Sequence, residues 1–207
     1  MILPETLTNW IVSAGLVILV GVIIASWLAS YRVAKAAPIP SGDWFFGWPA
    51  WVQIGGGLVG CLLLGYLAYL LWIPLPLDLS PPAAALLRMA GFLFFITGWI
   101  LALWARWTLG ALYGVSTGFA APLQAEHCLI QNGPYAFIRH PMYLGYWLLL
   151  VGLMLLYRTW TPLLFLVISI LSFYRRALRE ESALAERFGE EWRAYAMRTR
   201  FLIPFLY

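Results

Sequence analysis

The chain has 207 residues, of which 63% are hydrophobic and only 11% are charged. Soluble domains are typically about half apolar and a quarter charged. This composition therefore excludes an ordinary soluble domain and indicates an integral membrane protein. The formal net charge is +4, its basic residues are unevenly spread along the chain, and no nucleic-acid partner is expected.

Three long apolar stretches predict the first membrane helices. Residues 10–31 and 48–73 contain no charged side chain, and residues 83–104 contain only Arg88. About 20 apolar residues cross the hydrocarbon core of a bilayer as a helix, so each stretch predicts one transmembrane span. Arg88 lies near the start of the third stretch, where its long side chain is expected to extend to the membrane interface.

Two shorter apolar stretches follow, at residues 143–157 and 161–174, with Arg158 between them. At about 14 to 17 residues, or roughly 21 to 25 Å as helices, they predict a short helical hairpin that barely spans the bilayer. Residues 175–207 are polar and helical in character, and Gly189 is expected to separate two helices there.

The predicted fold class is an all-α integral membrane protein with about five transmembrane helices, the last two forming the short hairpin. A single membrane domain, 1–207, would comprise N-terminal spans in 1–82 and a core in 83–207. A cytoplasmic loop and the C-terminal helices would form a polar pocket. The segment 109–132 is too polar to span, and a loop of that length usually has a function.

Basic residues predict the orientation. With the N-terminus outside and five spans, all Lys and Arg except Arg88 and Arg158 fall on one side. The positive-inside rule makes that side cytoplasmic. Residues 133–145 and the charged C-terminal segment then lie on the same, cytoplasmic face.

Ionisable residues that remain in a membrane protein are candidates for a functional site. They form two groups on the predicted cytoplasmic face: Glu126, His127, Arg139 and His140, and then Arg176, Arg179, Glu180 and Glu181. No metal site is predicted, because the His, Cys and carboxylate residues lack ligand spacing. No nucleophile with a neighbouring base is indicated either.

The polar residues follow one another in an ordered pattern. Its parts are Glu126-His127-Cys128-Leu129-Ile130-Gln131-Asn132-Gly133-Pro134-Tyr135, then Arg139-His140-Pro141-Met142-Tyr143-Leu144-Gly145, then Glu180-Glu181, Gly189-Glu190-Glu191, Tyr195 and Pro204. This pattern resembles the superfamily of isoprenylcysteine carboxyl methyltransferases and phospholipid methyltransferases. The resemblance covers about residues 100–207 and implies an integral membrane methyltransferase that uses S-adenosylmethionine.

The resemblance also implies roles for individual residues. The cofactor pocket would be lined by His127, Leu129, Gly133, Tyr135, His140, Tyr143 and Glu181. Arg176 and Glu180 would be catalytic and would face the acceptor. The implied partners are the lipid bilayer and a lipophilic or prenylated small acceptor.

The side chains predicted for the site do not decide the chemical class of the methyl acceptor. A carboxylate acceptor needs no general base and would be oriented by Arg176, whereas an amine must lose a proton, which Glu180 or Glu181 could take. O-methylation of an isoprenylcysteine carboxylate is the preferred prediction. The alternatives are N-methylation of phosphatidylethanolamine, S-methylation of a small thiol, an NADPH-dependent sterol-reductase-like protein and a non-catalytic membrane adaptor. The oligomeric state is not predicted.

Overall fold

The structure is a computed structural model that describes residues 4–34, 50–110 and 128–202. This part of the chain is helical, as predicted. Its six α-helices are α1 (Glu5–Ala34), α2 (Ala50–Leu70), α3 (Pro81–Leu109), α4 (Pro141–Tyr157), α5 (Trp160–Phe188) and α6 (Glu190–Arg198). A 3₁₀ helix, Gly133–Ala136, precedes α4.

Three apolar helical segments of the described residues are long enough to cross a membrane. They are Glu5–Ser26, Pro81–Leu109 and Trp160–Phe188, and Pro141–Tyr157 is a shorter apolar helix. The helices coincide with the five apolar stretches of the sequence. The number of spans stays a prediction.

Helices α3 and α4 pack antiparallel through glycines. A Cβ atom on Gly98 would lie 2.5 Å from the backbone nitrogen of Leu149, and one on Gly152 would lie 2.5 Å from that of Phe95. Small residues of this kind let membrane helices approach backbone to backbone. The start of α4 is thereby held close to the end of α3.

Helix α1 runs parallel to α3. The indole nitrogen of Trp99 donates a hydrogen bond to the carbonyl of Gly15 at 2.8 Å. Further along both helices, Arg106 Nε donates to the hydroxyl of Ser26 at 2.8 Å. Polar contacts between the helices thus occur at successive levels of the bundle.

The start of α3 contains a contact that was not predicted. Arg88 forms an ion pair with Glu5 of α1, 2.8 Å apart, in addition to lying near the helix end. Ser80 occupies the N-cap position and Pro81 the first turn, but no side-chain capping bond is formed by Ser80. The charge of Arg88 is therefore balanced within the described part of the chain.

Helices α4 and α5 form a hairpin with a two-residue link. Arg158 ends α4 in the left-handed conformation, with φ of 50°, and Thr159 precedes α5. The rings of Trp147 and Phe173 stack between the two helices at 6.4 Å. The helices consequently run antiparallel, as predicted.

The second arm of this hairpin continues without a break into the polar segment that was predicted to be helical. The apolar stretch ends at residue 174, but α5 continues to Phe188 and has 29 residues. The segment beyond 174 is rich in Arg, Ala, Leu and Glu, which are good helix formers, and its Arg176–Glu180 ion pair has helical i,i+4 spacing. The apolar run alone therefore underestimated the helix. Gly189, with φ of 51°, ends it as predicted.

Candidate functional site

The end of the bundle at the start of α4 is closed by a backbone pairing. The amide of Arg139 donates to the carbonyl of Arg200 at 2.8 Å, and the amide of Arg200 donates to the carbonyl of Phe137 at 3.0 Å. The amide of His140 donates to the carbonyl of Phe201 at 3.2 Å. The chain after α6 thus returns to the segment that leads into α4.

Arg139 connects three parts of this end. Its Nε donates to Glu181 Oε1 at 2.6 Å, and its Nη1 donates to the carbonyls of Ala196 at 2.9 Å and Thr199 at 2.7 Å. Its guanidinium also lies over the ring of Phe201, 5.7 Å from the centroid. A planar guanidinium can direct several donors in one plane, which explains why an arginine fits here.

His140 lies at the N-cap position of α4 and is buried, with 6% of its surface exposed. Its Nε2 is 3.2 Å from Glu181 Oε1, and its Nδ1 is 3.7 Å from Glu180 Oε2. Its ring stacks on that of Tyr143 at 5.5 Å with an interplanar angle of 13°. The imidazole therefore lies between two carboxylates of α5.

Tyr143 continues, one turn into α4, the network formed by Arg139, His140, Glu180 and Glu181. Its hydroxyl donates to Glu180 Oε1 at 2.6 Å, and Arg176 Nε donates to the same oxygen at 3.0 Å. The Arg176 guanidinium lies 5.7 Å from the Tyr143 ring centroid. Residues predicted for the cofactor and residues predicted for the acceptor are thus joined in one network.

This network is half-buried and nearly neutral. The side chains of Glu180 and Glu181 are 22% and 20% exposed, and those of Arg176 and Arg139 are 27% and 14% exposed. Two carboxylates face two guanidinium groups, so each partly buried charge has an opposite partner. The partial exposure leaves oxygen and nitrogen atoms accessible to a bound molecule.

The 3₁₀ helix supports the network from the side. Gly133 has φ of 57°, and a Cβ atom there would lie 2.7 Å from Thr108 Oγ1, so both backbone conformation and space favour glycine. The carbonyl of buried Tyr135 accepts a hydrogen bond from the Tyr195 hydroxyl at 2.8 Å. Burial raises the pKa of Tyr195 to about 12, which keeps this hydroxyl protonated as a donor.

The remaining predicted residues lie before the 3₁₀ helix. Leu129 is half-buried in an irregular segment. Nearby Gln131 donates to Glu191 of α6 at 3.0 Å. His127 lies outside the described residues.

Sequence reasoning brought together His140, Tyr143, Arg176, Glu180 and Glu181, and the structure joins them directly. The sequence placed Arg139 in a polar group, but no role was predicted for this residue. Its position immediately before His140 was a signal, but its carbonyl partners follow α6 and could not be read from spacing.

The residues at this end fit S-adenosylmethionine chemically. Glu180 and Glu181 are partly exposed carboxylates, which suit an ammonium group or ribose hydroxyls as hydrogen-bond acceptors. The rings of His140, Tyr143 and Phe201 form an aromatic group beside these carboxylates.

Comparison with protein families gives a match to the phospholipid methyltransferase model over residues 86–191. The chain belongs to this family. The matched segment includes most of α3, all of α4 and all of α5, and therefore the whole His140–Glu181 network.

Curated relatives of this family member are protein-S-isoprenylcysteine O-methyltransferases. The Schizosaccharomyces pombe protein is 32% identical over 88 residues, which are 42% of this chain and 37% of the relative. The Rattus norvegicus protein is 33% identical over 129 residues, which are 58% of this chain and 42% of the relative. The chain thus spans about two fifths of the length of these relatives.

A solved structure shares the fold. The eukaryotic intramembrane Ras methyltransferase, isoprenylcysteine carboxyl methyltransferase, aligns with a TM-score of 0.54 at 22% identity. The alignment covers 70% of this chain and 52% of the other. The likeness shows that this family member has the same helical arrangement over the aligned part.

Proposed function

We propose that this protein is an S-adenosylmethionine-dependent methyltransferase of the membrane that methylates the carboxylate of a prenylated cysteine or a similar lipid-like acid. The observation that carries the proposal is the Arg176–Glu180–Tyr143 contact beside the His140–Glu181 pair. It places a partly exposed guanidinium next to two carboxylates at the end of the helical hairpin. Membership of the family supports methyl transfer as the reaction.

In this proposal the two sides of the network have different tasks. His140, Tyr143 and Glu181 hold the cofactor, together with the segment that contains Leu129, Gly133 and Tyr135, and His127 is proposed for the same pocket. Arg176 and Glu180 face the acceptor, and Arg176 orients its carboxylate through charge-assisted hydrogen bonds.

When bound, S-adenosylmethionine supplies an electrophilic methyl group: a carbon–oxygen bond to the acceptor forms while the carbon–sulfur bond breaks, and the sulfur keeps the electron pair. A carboxylate acceptor releases no proton, so no base is required. The task of the protein is to align the reactants and exclude water. The aromatic residues around His140 and Tyr143 contribute to that exclusion.

The orientation belongs to the same proposal. Five spans with an external N-terminus put the network on the cytoplasmic side, where the cofactor is available. Arg88 and Arg158 then lie at the opposite face, in agreement with the positive-inside rule.

N-methylation of a phospholipid amine is the second candidate. It is favoured by the two adjacent carboxylates, Glu180 and Glu181, since an amine must lose a proton to a base during the reaction. S-methylation of a small thiol is a third outcome of the same experiment.

The deciding experiment is methyl transfer from labelled S-adenosylmethionine by the purified protein in lipid vesicles. The acceptors are N-acetyl-S-farnesylcysteine, phosphatidylethanolamine and a small alkyl thiol. We expect label in the farnesylated acid, released by mild alkali as methanol, because esters hydrolyse and N-methyl or S-methyl groups do not. Arg176→Ala should abolish this transfer, whereas Arg193→Ala, an exposed change on α6, should leave it unchanged.

Label that enters only the phospholipid or only the thiol would replace the proposed acceptor with that one. Binding of NADPH without binding of S-adenosylmethionine would overturn the methyltransferase proposal and favour a reductase. Absence of binding of either would favour the adaptor.

A further inference from the structure

Helix α5 carries two arginines that the network does not use. Arg175 and Arg179 follow directly after the apolar part of this helix, and both are exposed. They lie one helical turn apart on one face, whereas Arg176 and Glu180 are turned towards Tyr143 of α4. The helix therefore presents two cations on a different side from the candidate site.

Neither of these two arginines has a carboxylate partner among the described residues. Arg176, by contrast, pairs with Glu180, four residues later, at 3.0 Å. The residue four after Arg175 is instead Arg179, whose Nε makes a long hydrogen bond, 3.4 Å, to the carbonyl of Arg175. Like charges at this spacing destabilise a helix, and an anion bound between them would offset that effect.

Apolar side chains surround the pair. Leu171, Tyr174 and Leu178 are 54%, 49% and 42% exposed, and each lies within one turn of Arg175 along the helix. An exposed face that changes from apolar to basic is typical of a helix leaving the hydrocarbon core, because arginine stems lie along lipid while the guanidinium groups reach the head groups. The pair is therefore placed to meet lipid phosphates.

We propose that Arg175 and Arg179 bind the head group of an anionic phospholipid, whose chains lie against Leu171 and Tyr174. The phosphate accepts charge-assisted hydrogen bonds from both guanidinium groups, whose planar donors match its oxygen atoms. This inference goes beyond the proposed reaction and does not depend on it, because neither arginine belongs to the network.

Charge and apolar surface together select this kind of partner. A zwitterionic head group carries an ammonium as well as a phosphate, and two guanidinium groups repel the ammonium. A free phosphate ion has the charge but lacks the chains that would cover the exposed apolar side chains. An anionic lipid satisfies both features of this face of α5.

The test is a competition between two lipids for the full chain in detergent. Phosphatidylglycerol and phosphatidylcholine with the same acyl chains are added in equal amounts, and the lipid retained on the protein is counted by native mass spectrometry. For the first lipid bound we expect phosphatidylglycerol to be favoured about tenfold, as two arginines near an anionic head group would give.

Arg175→Gln combined with Arg179→Gln removes both charges from exposed positions and should reduce this preference to about twofold or less. The matched control is Arg187→Gln combined with Arg193→Gln. It removes the same charge from exposed positions further along the chain, and the preference should be unchanged. Each ratio compares two lipids on one protein, so a general loss of stability does not mimic the effect.

Equal retention of the two lipids by the unaltered protein would overturn the inference, and so would a preference that persists without Arg175 and Arg179. An equal loss in the control variant would also overturn it, because the preference would then follow net charge. Excess inorganic phosphate at constant ionic strength should leave the preference in place. Its loss would show that a free anion is the ligand and would overturn the assignment to a lipid.

Discussion

Arg139 is one of the residues through which the C-terminal segment contacts the site. Its hydrogen bonds to Glu181 and to the carbonyls of Ala196 and Thr199 bring α5, the end of α6 and the start of α4 together. Each of these bonds involves a charged group, and such bonds contribute about 1.5 to 3 kcal/mol. Arg139 therefore holds Glu181 in place for a ligand, without being assigned contact with the reacting atoms.

Arg139→Lys should weaken binding of S-adenosylmethionine about tenfold. An ammonium group keeps the charge but cannot direct donors to Glu181 and to two carbonyls from one plane. The measurement is calorimetric titration of the purified protein with the cofactor. Arg193→Lys, at an exposed position that pairs with Glu190, is the control and should bind the cofactor normally. Unchanged affinity in Arg139→Lys would show that the C-terminal segment docks without it.

The raised pKa of Tyr195 predicts a loss of folding stability at high pH. Burial raises its pKa to about 12, against the lowering effect of Arg139 and Arg198, while a tyrosine of the unfolded chain titrates near 10. The contribution of the protonated Tyr195 to folding stability is fully present below pH 10. As the pH rises towards 12, the unfolded chain loses the phenolic proton and the folded chain retains it, so stability falls by about 2 kcal/mol at pH 12.

Tyr195→Phe removes this titration together with the hydrogen bond to Tyr135. Compared with the unaltered protein, the variant should be less stable at pH 8 and should lose less stability between pH 10 and 12. Thermal unfolding in detergent across this range measures both effects. An identical pH dependence of the two proteins would show that Tyr195 ionises normally in the fold.

At the level of elements, the glycine contacts of α3 and α4 set the position of the site. Gly91 and Gly98 of α3 face Gly145 and Gly152 of α4 closely enough that a Cβ atom on any of them would clash with backbone atoms. Such spacing lets the two helices make extensive van der Waals contact. The start of α4, with His140, depends on this contact for its placement.

Gly98→Ala should lower the stability of the protein by about 1 to 3 kcal/mol, the usual cost of overpacking. Its added methyl group would lie 2.5 Å from the backbone nitrogen of Leu149, and only a shift of the helices can relieve that clash. Gly65→Ala in α2 is the matched control, because no described atom lies within 4 Å of its Cβ position. Thermal unfolding should separate the two variants. Equal melting temperatures would indicate a loose α3–α4 contact.

The same glycines show which structural features can be predicted from the sequence and which cannot. The positions of the helices follow from apolar length and are recovered well, and the partners of Glu180 and His140 follow from grouping the ionisable residues. The partner of Gly98 does not follow, because an apolar sequence with 18 glycines offers many equivalent contacts. The length of α5 is recovered only when two signals are combined, because hydrophobicity ends at residue 174 while helix propensity continues to Gly189.

For the whole molecule, the orientation in the membrane is the property that the proposed function needs. The network lies at the end of the bundle that holds the ends of α1 and α3, and the opposite end holds Glu5, Arg88 and Arg158. Intracellular S-adenosylmethionine can reach only a site on the cytoplasmic face. The proposed function and the distribution of basic residues therefore both predict that the network faces the cytoplasm.

Labelling of single cysteines tests this orientation. Cys128 is exposed in the segment that leads to the 3₁₀ helix, and Asp78→Cys would place a thiol in the exposed loop at the opposite end of the bundle, with Cys61→Ala as the common background. In intact cells an impermeant maleimide should label Asp78→Cys combined with Cys128→Ser, and should label Cys128 only after permeabilisation. The reverse labelling pattern would show that the topology is inverted and that the site does not face the cytoplasmic cofactor.

The uninterrupted length of α5 has a consequence for the bilayer. Glu180 lies 20 residues after the first residue of this helix, or roughly 30 Å along its axis, which is about the thickness of the hydrocarbon core. A helix of fixed length adapts to the bilayer mainly by tilting, so the thickness of the surrounding lipid influences how deep the carboxylates lie. An acceptor anchored by its own tail must present its head group at that depth. If the proposed reaction takes place, lipid chain length as well as side-chain chemistry would therefore select the acceptor.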